Sequence, residues 1–392
     1  MPLSPGEERD VGPAEDAATS AGGAAAAKTR VAVSGGILLY GMYGLASLSS
    51  APKVRIEMMT RALAGRTHTE RITGGRLGRA LAAAKWLASG GPRRVRAVYV
   101  ESATSSAMPT DLLFLAFMRL LRRPVGVYFR DAYQLFRNVH PRLRRRQVLT
   151  DQLWRATTPL LKAVASVRYA PSRGLAAALG LGEAVVILPP GTDPSAPDLG
   201  IGEADVVGAI VQPGPGSGFE SLLSAMELVR RSRPEARLRI VARSAAGPDI
   251  AGLPEWVEVR APDRGGIGQV LGPARVCVLP LPINAYTDLA VAVRLFDLLA
   301  FGKPIVATDT IETRAILERS GAGLVTGASP ESLAAGILEL LGDPARARGC
   351  AAAARAFALD PANTWDARAA TVLASLGIGA RPGAGQSGSA DA

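Results

Sequence analysis

Apolar positions along the chain fall into short β-branched runs, separated by longer stretches in which apolar residues return every three or four positions. RVAVS (30–34), RAVYVE (96–101), PVGVYF (124–129) and SVRYA (166–170) predict strands in the first half. DVVGAIV (205–211), RLRIVA (237–242), WVEVR (256–260), RVCVLPL (275–281), KPIVATD (303–309) and AGLVT (322–326) do so in the second half. Between them, GRLGRALAAAKWLAS (75–89), GFESLLSAMELVRRSR (218–233) and SPESLAAGILELLGD (329–343) have helical spacing. Strands that are apolar throughout and alternate with helices imply parallel sheets covered on both faces. The fold class is therefore α/β, with two doubly wound, Rossmann-like units. The Pro-, Gly- and Asp-rich stretch 188–205 marks the break between them. The division is an N-terminal domain over 28–187 and a C-terminal domain over 188–360. A last helix follows over 361–377. Residues 1–27 and 378–392, rich in Ala, Gly, Ser and Pro, predict disordered tails.

Two such domains leave a cleft, and ligands of doubly wound sheets bind beyond the carboxyl ends of the strands. The stretch LPLPINAYTDLAVAVRLFDLLAFGKPIVATD (279–309) reads strand, loop, helix, turn, strand. Thr287 or Asp288 predicts the N-cap of a helix over 288–300, whose first amides favour an anion such as a diphosphate. Arg294 and Asp297 are three residues apart and share a helix face. A carboxylate there suits ribose hydroxyls, and a guanidinium suits phosphate oxygens. A solvent-facing ion pair within the helix is the alternative. Gly302 and Pro304 end the helix.

The chain has 392 residues, 48% of them hydrophobic, and a formal net charge of +11. Only five of its cations are lysines: Lys28, Lys53, Lys85, Lys162 and Lys303. Compositional bias toward Arg, Ala and Gly accounts for part of this charge, and attraction to an anionic ligand or surface accounts for the rest. HPRLRRRQ (140–147), with Arg119, Arg122 and Arg123, predicts a cationic face suited to an anionic membrane surface or a lipid phosphate. The basic residues are not interleaved with aromatics and no nucleic-acid module is recognisable, so nucleic acid is not expected as a partner. Cys277 and Cys350 form neither a metal-ligand spacing nor a disulfide framework. No run approaches the roughly 18 apolar residues of a membrane span. The expectation is a cytoplasmic protein, peripheral at most to the inner face of a membrane.

Residues 280–309 resemble the donor-binding segment of retaining GT-B glycosyltransferases of the large family-4 type (glycosyl transferases group 1). Arg294, Asp297, Gly302, Lys303 and Pro304 match that segment in order and spacing, with Asp297 where a Glu is usual. LPPGTD (188–193), SGFESLLSAMELVRRSRPEARLRIVA (217–242), ERSGAGLVTGASPESLAAGILELLGDP (318–344) and NTWDARAATVLASL (363–376) extend the resemblance over about 30–376. It implies the GT-B fold, with the C-terminal helix crossing back to the first domain. It also implies transfer of a sugar, with retention, from a nucleotide-sugar donor to a glycan, lipid-linked or small-molecule acceptor. No metal and no cofactor beyond the donor are implied.

The implied donor-side residues are Gly214, Gly216, Ser217 and Gly218, then Arg243, the loop residues Asn284, Tyr286, Thr287 and Asp288, and Arg294 with Asp297. Gln212 and Ser217 stand where the family usually carries charge, so the glycine amides or Arg243 would replace it. The family's earlier acid falls on Leu289, next to Asp288. Arg130 and Asp131 stand where many relatives have a His-Asp pair, which makes them the catalytic candidates. Gly35 and Gly36, read as ending the first strand, and Lys53 are expected on the acceptor side. Two alternatives stay open: an inactive relative that partners an active enzyme, and a basic membrane- or polyanion-binding protein.

Overall fold

A computed structural model describes residues 35–45, 50–139, 145–202, 205–214, 216–245 and 250–379. The first lobe begins β1 (Gly36–Gly41), α1 (Ala51–Ala64), β2 (Thr69–Thr73), α2 (Arg76–Ala88), α3 (Gly91–Arg94) and β3 (Val95–Glu101). It continues α4 (Pro109–Leu120), β4 (Val125–Tyr128), α5 (Arg145–Val164), β5 (Val167–Ala170), α6 (Arg173–Ala178) and β6 (Val186–Ile187). The second lobe begins β7 (Val206–Ile210), α7 (Phe219–Ser232), β8 (Arg237–Val241), β9 (Val257–Arg260), α8 (Ile267–Leu271) and β10 (Val276–Leu279). Then come α9 (Val293–Ala300), β11 (Ile305–Thr308), α10 (Ile311–Ser320), β12 (Gly323–Thr326), α11 (Pro330–Gly342), α12 (Pro344–Leu359) and α13 (Trp365–Ser375).

Each lobe is a six-stranded sheet, ordered β2-β1-β3-β4-β5-β6 and β12-β11-β10-β7-β8-β9. Every pairing is parallel. Central strands such as Val276–Leu279 and Ile305–Thr308 are buried throughout, as a sheet covered on both faces requires. In the first lobe α2, α4 and α5 pack on one face through Trp86, Phe114, Met118 and Trp154. On the other face α1 packs together with α13, through Ile56, Met59, Trp365 and Val372. The last helix therefore crosses back onto the first lobe, as expected. Tyr169 Oη and Ser375 Oγ lie 2.6 Å apart across that contact, and Arg66 pairs with Asp366.

Several expectations need correction. The first strand is Gly36–Gly41, not 30–34, which lies outside the described residues. Gly35, at φ 129°, turns the chain into ILLY, whose uninterrupted apolar run is the buried strand. Gly35 and Gly36 thus sit at the amino end of the sheet, beside Arg96 and His68, and not at its ligand-facing end. Lys53 lies in the first turn of α1. The edge strand Thr69–Thr73 escaped the apolar pattern because Ile72 is its one buried residue and the others are exposed or half-buried polar ones. Ile378, read as the first residue of a tail, is buried beside α13, and its amide bonds the Leu373 carbonyl. Residues 1–27, most of the C-terminal tail and 140–144 of the basic run lie outside the described residues.

Candidate functional site

The carboxyl ends of the two sheets meet. Asp131, just past β4, accepts a hydrogen bond from Tyr286 Oη of the second lobe at 2.9 Å. Ser172 Oγ donates to the Leu289 carbonyl at 2.6 Å. The Tyr286 ring lies 4.3 Å from Tyr133 and 5.8 Å from Phe136, centroid to centroid. Burial, then the nearby Asp131 charge, raises the Tyr286 pKa far above its ordinary value, so the phenol stays a proton donor.

The loop feeding this contact corrects the predicted helix start. Asn284 Oδ1 accepts from the amides of both Tyr286 and Thr287 at 3.0 Å. Thr287 Oγ1 donates to the Pro282 carbonyl at 2.5 Å and accepts from the Asn284 amide at 3.0 Å. This side-chain-closed turn competes with the helix, so α9 begins at Val293 with Ala292 as its N-cap. Thr287 and Asp288 are not its cap. Asp288 Oδ1 instead accepts from the Ile311 amide at 3.4 Å, at the start of α10.

Arg294 and Asp297 do share a face of α9, but they do not pair with each other. Arg294 Nη1 donates to the carbonyl of Ile210, the last residue of β7, at 2.9 Å. Among the described residues no carboxylate pairs with Arg294 or with Arg243. Burial and then the Arg243 charge lower the Arg294 pKa from its ordinary value to about 10. Two like charges are thus held together at the carboxyl ends of β7 and β8. Gln212 Oε1 fixes the second strand end by accepting from the Arg243 amide at 2.9 Å. Asp297 Oδ1 accepts from Arg264 Nη2 at 2.9 Å, and burial raises its pKa above the ordinary carboxylate value. Arg264 was missed by motif reading. The available signal was its position, in the loop directly after β9.

The loop after β7 supplies backbone rather than charge. Gly214, Gly216 and Gly218 have φ of 133°, 70° and 81°. Ser217 Oγ donates to the Gly214 carbonyl at 2.7 Å and accepts from the Phe219 amide at 3.2 Å. A Cβ on Gly218 would meet the Pro280 carbonyl oxygen at 1.5 Å, so only glycine lets this loop close against the strand-end of β10. A cavity of about 130 Å³ lies at the start of α7, lined by Gly216, Gly218, Glu220, Pro280, Pro282 and Thr308.

In the first lobe Arg130 belongs to a buried cluster. Glu101 accepts from Arg130 Nη2 at 2.7 Å, from Arg55 Nε at 2.9 Å and from Tyr99 Oη at 2.6 Å. Asp131 also accepts from Thr104 Oγ1 at 2.6 Å, and Thr104 lies 2.6 Å from Tyr43 Oη. Lys303 of the Gly-Lys-Pro turn does not face a ligand. It is fully buried and donates to the carbonyls of Gly272 and Ala274 at 3.0 and 2.9 Å. Among the described residues no group of three or more His, Cys, Asp or Glu could hold a metal ion.

Comparison with known proteins follows the same lines. The glycosyl transferases group 1 family model matches residues 206–343. Comparison of the sequence with curated proteins gives no match. Sucrose-phosphate synthase from Thermosynechococcus elongatus superposes with a TM-score of 0.63 at 16% identity, over 86% of this chain and 97% of its own. A glycosyltransferase from Rickettsia africae gives 0.61 at 12% identity, over 88% and 99%. The Anabaena protein HepE, solved in complex with UDP, gives 0.59 at 16% identity, over 87% and 99%. Residues 206–343 are thus similar to the glycosyl transferases group 1 family, in a chain with the two-sheet GT-B fold.

Proposed function

We propose that the protein transfers a sugar from a nucleotide-sugar donor to a hydroxyl acceptor, with retention of configuration. The observation that carries this reading is the pair Arg294 and Arg243, two guanidinium groups at adjacent strand ends that no carboxylate among the described residues meets. A diphosphate between the lobes supplies the missing negative charge. The amides of Gly216 and Gly218 are offered to the same anion. Asp297, oriented by Arg264, receives the ribose hydroxyls. HepE was solved with UDP, which makes uridine nucleotides the first to try.

Chemically, the acceptor oxygen bonds to the anomeric carbon on the face that the diphosphate leaves. The electron pair of the breaking C–O bond goes to the diphosphate, whose oxygen takes the acceptor proton. The chain then needs to hold the donor and stabilise developing charge, rather than supply a strong base. Among the described residues the one histidine, His68, pairs with Glu70 at the amino end of the first sheet and is no base in this scheme. Arg130 and Asp131 are positioning residues in it, Arg130 through Glu101 and Asp131 through Tyr286.

Thermal-shift titration with UDP- and GDP-sugars tests donor binding. A saturable shift with one series, lost in Arg243→Ala, supports the reading. No shift with any nucleotide sugar refutes it. NMR of the product's anomeric proton at early times tests retention, and inversion refutes that part alone.

A further inference from the structure

The three helices on one face of the first sheet each carry a second apolar stripe, pointing away from the core. On α2, Leu77 and Leu81 are 85% and 58% exposed, four residues apart. On α4, Leu113, Phe117 and Leu120 are exposed at the i, i+4, i+7 spacing, whereas Phe114, Leu115 and Met118 turn inward. On α5, Leu149, Leu153 and Leu160 are exposed, whereas Trp154 and Leu161 turn inward. Their inner sides share one core cluster, so α2, α4 and α5 lie side by side. Their outer sides therefore make one surface, and apolar surface of that extent on a folded protein marks a contact site.

The charges on this layer have one sign. Arg76, Lys85, Arg119, Arg122, Arg145 and Arg155 are exposed on or at the ends of these helices. The only acids in the three helices, Asp111 and Asp151, are buried, and Asp111 is taken by Arg79. The opposite face of the same sheet differs. There Glu57 balances Arg61 and Arg71, and Asp366 balances Arg66. A leucine-rich surface ringed by cations without acids is complementary to an anionic lipid bilayer, in which side chains enter the acyl boundary and cations meet headgroups. A second copy of the chain would instead bring like charges together.

We propose that the outer face of α2, α4 and α5 docks this protein on an anionic membrane surface. The surface stands independently of the transferase reading, because none of its residues belongs to the candidate donor site. Sedimentation of the full chain with vesicles tests it, using pure phosphatidylcholine against phosphatidylcholine with about one-third phosphatidylglycerol. The expected result is binding to the anionic vesicles only, weakened by raising salt to about 0.5 M. Leu113→Ser with Phe117→Ser removes apolar contact and abolishes pelleting. Arg76→Gln with Arg145→Gln weakens binding about 25-fold, at about fivefold per cation. Melting curves show that the variants remain folded, as exposed positions allow. No binding, equal binding to both vesicle types, or undiminished binding by both variants overturns the proposal. So does self-association without lipid binding that Phe117→Ser disperses.

Discussion

Replacing Arg294 with Met should stabilise the empty protein and abolish its response to nucleotide. Burial and the neighbouring Arg243 bring the guanidinium pKa from its ordinary value down to about 10. At about 1.36 kcal/mol per tenfold change, holding the charged form in the folded state costs about 3 kcal/mol. The folded value lies below the unfolded one. The destabilisation is therefore fully present at every pH below about 10 and is relieved only as the pH rises through it. Met removes it at pH 7, but leaves the Ile210 carbonyl without its donor, which costs about 1 kcal/mol. The net is about 2 kcal/mol of added stability, or about 3 °C for a folded body of this size. UDP at a hundred times its Kd adds about 2.7 kcal/mol to the wild type by mass action and almost nothing to the variant. Differential scanning fluorimetry with and without UDP thus gives opposite rankings: Arg294→Met melts higher alone and lower with ligand. A variant that melts below the wild type without ligand, or gains as much from UDP, refutes the anion-site reasoning.

Two further outcomes follow from the same strand ends. Gly218→Ala places a methyl on a left-handed residue at 1.5 Å from the Pro280 carbonyl, so denaturant unfolding should show a loss of at least about 2 kcal/mol; a loss under about 0.5 kcal/mol contradicts the close approach. Asp297 has its pKa raised by burial, so its ionisation removes stability as the pH rises from the ordinary 3.8 through the raised folded value. Asp297→Asn should abolish that part of the pH dependence and weaken UDP binding, and an unchanged pH profile in urea melts counts against this assignment.

The strand-helix alternation was legible in the chain because both sheets are buried on both faces and need unbroken apolar runs. Only the polar edge strand Thr69–Thr73, the two-residue Val186–Ile187 and the glycine-flanked first strand escaped it. The site was legible as types and spacing, not as partners. Arg294 and Asp297 share a face as the three-residue spacing demands, yet Asp297 is met by Arg264, 33 residues away in sequence. Helix periodicity carries no information about such a contact. The late start of α9 was hidden for a different reason. Asn284 closes a turn with its side chain, and apolar spacing alone does not register that competition. Lys303 matched the family pattern as one of a Gly-Lys-Pro triplet, but its burial against two carbonyls explains its presence without any ligand.

The seam formed by Tyr286 with Asp131 and by Leu289 with Ser172 has a consequence for chimaeras. A Cβ on Gly174 would meet Leu289 Cδ2 at 2.6 Å, so an alanine in the first half makes the Leu289 side chain of the second half shift. Exchanging whole halves between relatives therefore cannot treat the 188–205 connector as a clean cut. A working hybrid has to inherit positions 131, 172 and 174 together with 286 and 289, as one indivisible set.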